Sequence, residues 1–257
     1  MSPPSIAELR AVTQPESLIN RRGEEHWAGR LYMRRLSPYV TRLVVATPLT
    51  ANALTSLMIP TGLLAAFLVT LPGVLPAVGA ALLVQLQLLL DCSDGEVARW
   101  RRAFSTAGVY LDQIAHYSTE AALAAALGVR ADGGWGSIGG WTALGLAVSV
   151  LILLLKAETH LVTVARARSG EALPEVPDGG PAQKPPALRW RQGVRLLPSF
   201  RPFQAVEATL LVVAAAVVDA VTDNLTGTHV LLILLTGAAV VAVVGHLIAV
   251  LASERLR

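Results

Sequence analysis

The chain has 257 residues, 53% of them hydrophobic and 15% charged, with a mean hydropathy of +0.55. That balance excludes an ordinary soluble domain and points to a membrane protein. The net charge of +3 and the pI near 9.4 are read as membrane topology and contact with anionic lipid, and no nucleic-acid partner is expected.

In chain order, the opening stretch lacks the short apolar core and cleavage site of a secretory signal. Residues 23–45 read as an interfacial helix. Trp27, Leu31, Leu36 and Val40 offer an apolar side, while Arg30, Arg34, Arg35 and Arg42 face lipid headgroups. A cytoplasmic helix packed on a membrane domain would give the same pattern. Apolar runs follow at 53–71, 74–91, 107–128, 138–160, 204–221 and 229–251, each near the roughly 20 residues that cross a bilayer. The third is the least hydrophobic, because Asp112, His116 and Glu120 interrupt it. The expected fold is therefore all-α, a polytopic membrane helical bundle of six spans. Residues 1–46 form a cytoplasmic segment and 47–257 the membrane domain. Residues 170–186, rich in Pro, Gly and acidic side chains, read as a loop. The lone cysteine, Cys92, excludes an intramolecular disulfide and a cysteine-based zinc cluster.

Basic residues set the expected orientation. Arginines crowd the segment before the first run. Arg99, Arg101 and Arg102 lie between the second and third, and Arg166, Arg168, Lys184, Arg189, Arg191, Arg195 and Arg201 between the fourth and fifth. The opposite connections hold only Arg130. By the positive-inside rule both termini face the cytoplasm of a cell membrane.

Between the second and third runs the sequence reads DCSDGEVARWRRAFSTAGVYLDQIAHYSTE. Carboxylates at a membrane face are costly unless they pair or bind cations. Asp91 and Asp94 are three apart, and Asp112 and His116 four apart, so on helices each pair shares a face. Two facing helices would direct Asp91, Asp94, Asp112 and His116 into one space suited to Mg²⁺ or Mn²⁺. Arg99 offers a planar fork for phosphate, or is a solvated arginine at the membrane surface. Gly108 permits close helix packing or ligand approach.

The spacing resembles that of the CDP-alcohol phosphatidyltransferase family, DxxDGxxAR, eight residues, then GxxxDxxxD. Asp91, Asp94, Gly95, Ala98, Arg99, Gly108 and Asp112 match in register, and His116 stands where the family has a fourth aspartate. A weaker likeness to the family's TPNxxT lies at Thr50–Thr55, with Ala51 in place of proline. There Asn52 and Thr55 contact the nucleotide or cap the first span. The resemblance implies attack by an alcohol, or an alcohol phosphate, on the β-phosphorus of a CDP-linked lipid or alcohol donor. CMP is released, and the enzyme is a homodimer. It also implies that Gly95 lets the nucleotide approach and that Ala98 leaves room for cytosine or ribose.

In the family the fourth aspartate accepts the alcohol proton or touches a second metal, and imidazole can do either. Imidazole at His116, with an unperturbed pKa of about 6.5, suits a general base. Glu120, one turn on, is expected to orient it. Lys156 and His160, four apart, form a cationic face for an anionic acceptor, or Lys156 merely snorkels beside a carboxylate. The donor is expected to be CDP-diacylglycerol. The alternatives are transfer from a CDP-alcohol to diacylglycerol, a non-catalytic nucleotide-binding relative, or a cation transporter. A transporter would need acids along the membrane path, whereas these gather at one face.

Overall fold

A computed structural model describes residues 4–15, 27–170 and 198–252. Within them the chain is all-α, with no strand. Helix α1 spans Ile6–Thr13, and a π-helical turn at Gly29–Met33 leads into α2, Arg34–Val45. The long helices are α3 (Ala51–Thr70), α4 (Val74–Arg101), α5 (Thr106–Ala131) and α6 (Gly140–Arg168). A 3-10 turn at Pro198–Phe203 precedes α7 (Ala205–Thr222) and α8 (Thr226–Leu251).

Local chemistry explains where the N-terminal helices begin and how they meet. Ser5 and Glu8 form a capping box: Glu8 N–H donates to Ser5 Oγ at 3.2 Å, and Ser5 N–H donates to Glu8 Oε2 at 2.8 Å. Those bonds hold the Glu8 carboxyl below the ordinary glutamate range. Pro38 sits inside α2. Proline has no N–H to donate to the Arg34 carbonyl four residues back. Gln14, at the end of α1, supplies one from its side chain at 2.8 Å.

Five described helices, α3, α4, α6, α7 and α8, are long and apolar enough to cross a membrane. The expected count of six is reduced to five by this measure. The exception is α5, which has the length at 26 residues but not the composition, since Asp112, His116, Glu120 and Arg130 lie along it. Helix α4 overruns its predicted span by ten residues, from 91 to Arg101. At 1.5 Å per residue its 28 residues reach about 42 Å, beyond the roughly 30 Å hydrocarbon core.

The chain divides into two compact units, Met1–Gly62 with Leu83–His116, and Leu63–Leu82 with Tyr117–Arg257. In the first, Val44, Leu54 and Val97 form a buried cluster that packs α2, α3 and α4 together. Non-directional apolar burial thus seats the motif helix, and polar contacts then fix its side chains.

In the second unit α5 and α6 cross at Gly128 and Gly145. A Cβ added at Gly128 would lie 2.9 Å from the Gly145 Cα and 2.6 Å from the Trp141 carbonyl oxygen, so neither position accepts a side chain without separating the helices. Arg130 is fully buried. It donates to the carbonyls of Leu71 at 2.7 Å and Gly73 at 3.2 Å and to Thr228 Oγ1 at 3.2 Å, with Asp219 Oδ2 at 3.8 Å. The one arginine expected on the outer side is thus a packed structural group. Asp132 caps α6 by accepting from Gly139 N–H and from Thr142 N–H and Oγ1, and the Thr142 hydroxyl bond leads in holding its carboxyl low.

Candidate active site

The last turns of α4 carry Asp91, Asp94, Gly95, Ala98 and Arg99, and the first turns of α5 carry Gly108, Asp112 and His116. His116 Nε2 lies 3.3 Å from Asp112 Oδ1 and 3.7 Å from Asp91 Oδ1. One ligand atom from each of these three residues falls within 4.8 Å of the others, and all three are half-buried. Two carboxylates with an imidazole form a donor set that fits Mn²⁺, and the carboxylates alone suit Mg²⁺.

Asp94 belongs to the same face but is engaged differently. Its Oδ2 accepts a hydrogen bond from Thr55 Oγ1 at 2.5 Å. This joins the weaker N-terminal likeness to the aspartate motif, because Thr55 arrives on α3 and Asp94 on α4. Asn52 is brought to the other half of the motif. Its Oδ1 accepts from Ser105 Oγ at 3.0 Å, and Ser105 Oγ in turn accepts from Gly108 N–H at 2.9 Å. A Cβ added at Gly108 would stand 2.7 Å from Asn52 Oδ1. Glycine is required there so that Asn52 can lie against the start of α5. Ser105 is a site neighbour that motif reading missed, although a serine three residues before Gly108 at a helix start is an N-cap signal.

Arg99 does not point freely into solvent. Its Nε donates to the Thr13 carbonyl at 2.7 Å. Its Nη1 and Nη2 lie where a Cβ added at Gly95 would meet them at 3.2 and 3.3 Å. The open side of Gly95 is thus covered by the Arg99 guanidinium. Ala98 is half-buried on the same helix. Arg101 donates to the carbonyls of Val44, Thr47 and Leu49, fastening the connection from α2 to α3 onto the end of α4.

Glu120 lies further along α5. It is buried, and its Oε2 lies 2.9 Å from Lys156 Nζ. The carboxylate serves as counter-ion to a lysine on α6. Lys156 and His160 do come together, around Tyr117: Lys156 Nζ is 4.9 Å from the tyrosine ring centre, and the His160 ring is 5.8 Å from it. His246 Nδ1 pairs with Glu158 Oε2 at 2.9 Å.

Fold and site together define a polytopic helical membrane protein with an Asp–His cluster formed between the last turns of α4 and the first turns of α5. The chain belongs to the CDP-alcohol phosphatidyltransferase family, whose model matches residues 48–184, just over half its length. Transfer of a phosphoalcohol group from a CDP-alcohol is the activity of that family. A comparison with curated proteins finds no match.

Proposed function

We propose that the protein transfers a phosphatidyl group from CDP-diacylglycerol to the hydroxyl of a polar alcohol acceptor in phospholipid synthesis, releasing CMP. The observation that carries this reading is the convergence of Asp91, Asp112 and His116 within 4.8 Å, in a chain whose family handles CDP-alcohols. A divalent cation, Mg²⁺ or Mn²⁺, held by Asp91 and Asp112 with Asp94 as a further donor, would supply neutralisation of the diphosphate charge, and His116 is left free to act as a base. Arg99 binds a phosphate oxygen through the edge of its guanidinium not bonded to Thr13. Asn52, Gly95, Ala98 and Gly108 shape the nucleotide side, and Thr55 holds Asp94 in one rotamer.

His116 accepts the acceptor's hydroxyl proton as that oxygen bonds to the β-phosphorus. The bond from the β-phosphorus to the bridging oxygen breaks, and CMP departs with the electron pair. We place this chemistry on the cytoplasmic face of the cell membrane, with both termini on the same side, because the arginines cluster there. The packing of Arg130 among carbonyls removes the one basic residue that counted against it. A homodimer is part of the proposal.

The test is CMP release from CDP-diacylglycerol by the protein in liposomes, with glycerol phosphate, inositol phosphate, inositol and serine as acceptors. Turnover with one acceptor supports the reading. Turnover only with CDP-choline and diacylglycerol would transfer the reading to the alternative donor, and nucleotide binding without turnover would mark a non-catalytic relative.

A further inference from the structure

Glu96 lies inside the motif, between Gly95 and Ala98, and has no place in the family pattern. It is fully buried. A carboxylate out of water is expensive unless every lone pair is answered. Here three donors from the N-terminal region answer it. Gln14 Nε2 donates to Oε1 at 2.7 Å, Ser37 Oγ to Oε1 at 2.5 Å, and Thr41 Oγ1 to Oε2 at 2.7 Å. These partners lie 82, 59 and 55 residues away in sequence. Gln14 also donates to the Arg34 carbonyl at 2.8 Å. The end of α1 is thereby pinned at two points.

One residue before Gln14, the Thr13 carbonyl receives Arg99 Nε at 2.7 Å. Thr13 is itself fully buried, and its hydroxyl donates to the Leu9 carbonyl. The same short segment thus binds the motif glutamate and the motif arginine. Of the guanidinium's donors, it occupies Nε and leaves Nη1 and Nη2 across Gly95.

We propose that Glu96 and Gln14 are positioning residues for Arg99. By locking α1 onto the motif helix they present the Thr13 carbonyl, which aims the Arg99 guanidinium at the diphosphate of the CDP-linked donor. This rests on the reading of Arg99 as a phosphate ligand. A guanidinium on a flexible stem loses rotamer freedom when it binds, and a fixed Nε removes much of that loss beforehand. The device acts on donor binding and not on the proton transfer.

The test uses the full-length protein in liposomes. Donor KM, kcat for CMP release and Kd for CDP are measured for Gln14→Ala, Glu96→Ala, Glu96→Gln, Arg99→Ala and the Gln14→Ala/Arg99→Ala pair. Gln14→Ala should raise donor KM and the CDP Kd about fivefold with kcat within about twofold, as expected for loss of uniform binding. Glu96→Ala should raise both further, and Glu96→Gln should recover part of the loss, since an amide can still accept from Gln14 and Ser37. In the Arg99→Ala background, Gln14→Ala should add nothing.

Should Glu96→Ala fail to fold, Gln14→Ala still decides, because only a half-exposed side chain at the end of α1 is removed. Arg99→Ala impaired with Gln14→Ala unchanged would overturn the proposal and leave the phosphate reading standing. Multiplicative effects of Gln14→Ala and Arg99→Ala would also overturn it. Unchanged CDP binding in Arg99→Ala would remove the phosphate reading and this proposal with it.

Discussion

Thr55 donates its hydroxyl hydrogen to Asp94 Oδ2 across 2.5 Å, tying the start of α3 to the second aspartate of the motif on α4. Thr55 is buried, so solvent cannot substitute for it when the hydroxyl is removed. Thr55→Val keeps the shape and deletes the donor. Loss of a hydrogen bond to a charged group costs about 1.5–3 kcal/mol, so kcat/KM should fall by at least about tenfold. Thr55→Ser should retain most of the activity. Steady-state kinetics of the two variants check this, and equal activity in Thr55→Val and wild type would show that Asp94 needs no such partner.

His116 is where this chain departs from the family pattern, and its ring faces Asp91 and Asp112. His116→Ala should lose most CMP release, to below about a hundredth of wild type, the scale of a missing general base. It should still bind the CDP donor. His116→Asp should recover part of the rate. A carboxylate base stays deprotonated to lower pH than an imidazole. The acidic limb of the kcat/KM profile should therefore move to lower pH. Wild-type rates in His116→Ala across the pH range would show that the proton leaves by another route.

The Glu120–Lys156 pair predicts a stability effect. Glu120→Gln leaves the ammonium without its counter-ion, and breaking a buried pair from one side costs about 3 kcal/mol. The double variant Glu120→Gln/Lys156→Met should recover most of that loss, since no uncompensated charge remains. Thermal unfolding in detergent reads both. A double variant no more stable than the single one would mean that the pair does not balance itself.

Much of this architecture is visible in the sequence, for identifiable reasons. The long apolar runs mark the spans because a bilayer imposes both length and composition, and fixed gaps between Asp91 and Asp112 survive folding because helices repeat regularly. Helix α5 misleads a count of spans, since Asp112, His116, Glu120 and Arg130 dilute its hydropathy. Helix α1 was legible through Ser5 and Glu8, a capping box that a search for apolar runs passes over. The bonds from Gln14, Ser37 and Thr41 to Glu96 join residues 55 to 82 positions apart, and no periodicity encodes such pairings. Glu120 was assigned to His116 by helical spacing alone. Its partner on α6 was invisible until the helices packed.

Topology offers a separate check. Arg101 sits at the end of α4 among the basic residues inferred to face the cytoplasm. A cysteine introduced at Arg102, in a Cys92→Ala background, should resist a membrane-impermeant thiol reagent in sealed cells and react after permeabilisation. Labelling in sealed cells would reverse the orientation.

The most direct test of the Asp–His cluster is CMP release from CDP-diacylglycerol in liposomes, with and without chelation of divalent cations, in wild type, Asp91→Asn and Asp112→Asn. Chelation should abolish turnover in the wild type, and Mn²⁺ or Mg²⁺ should restore it. Both variants should remain folded and fall by at least about a thousandfold even with metal present. Full turnover in the chelated wild type, or in either variant, would contradict a cation-dependent transferase centred on Asp91, Asp112 and His116.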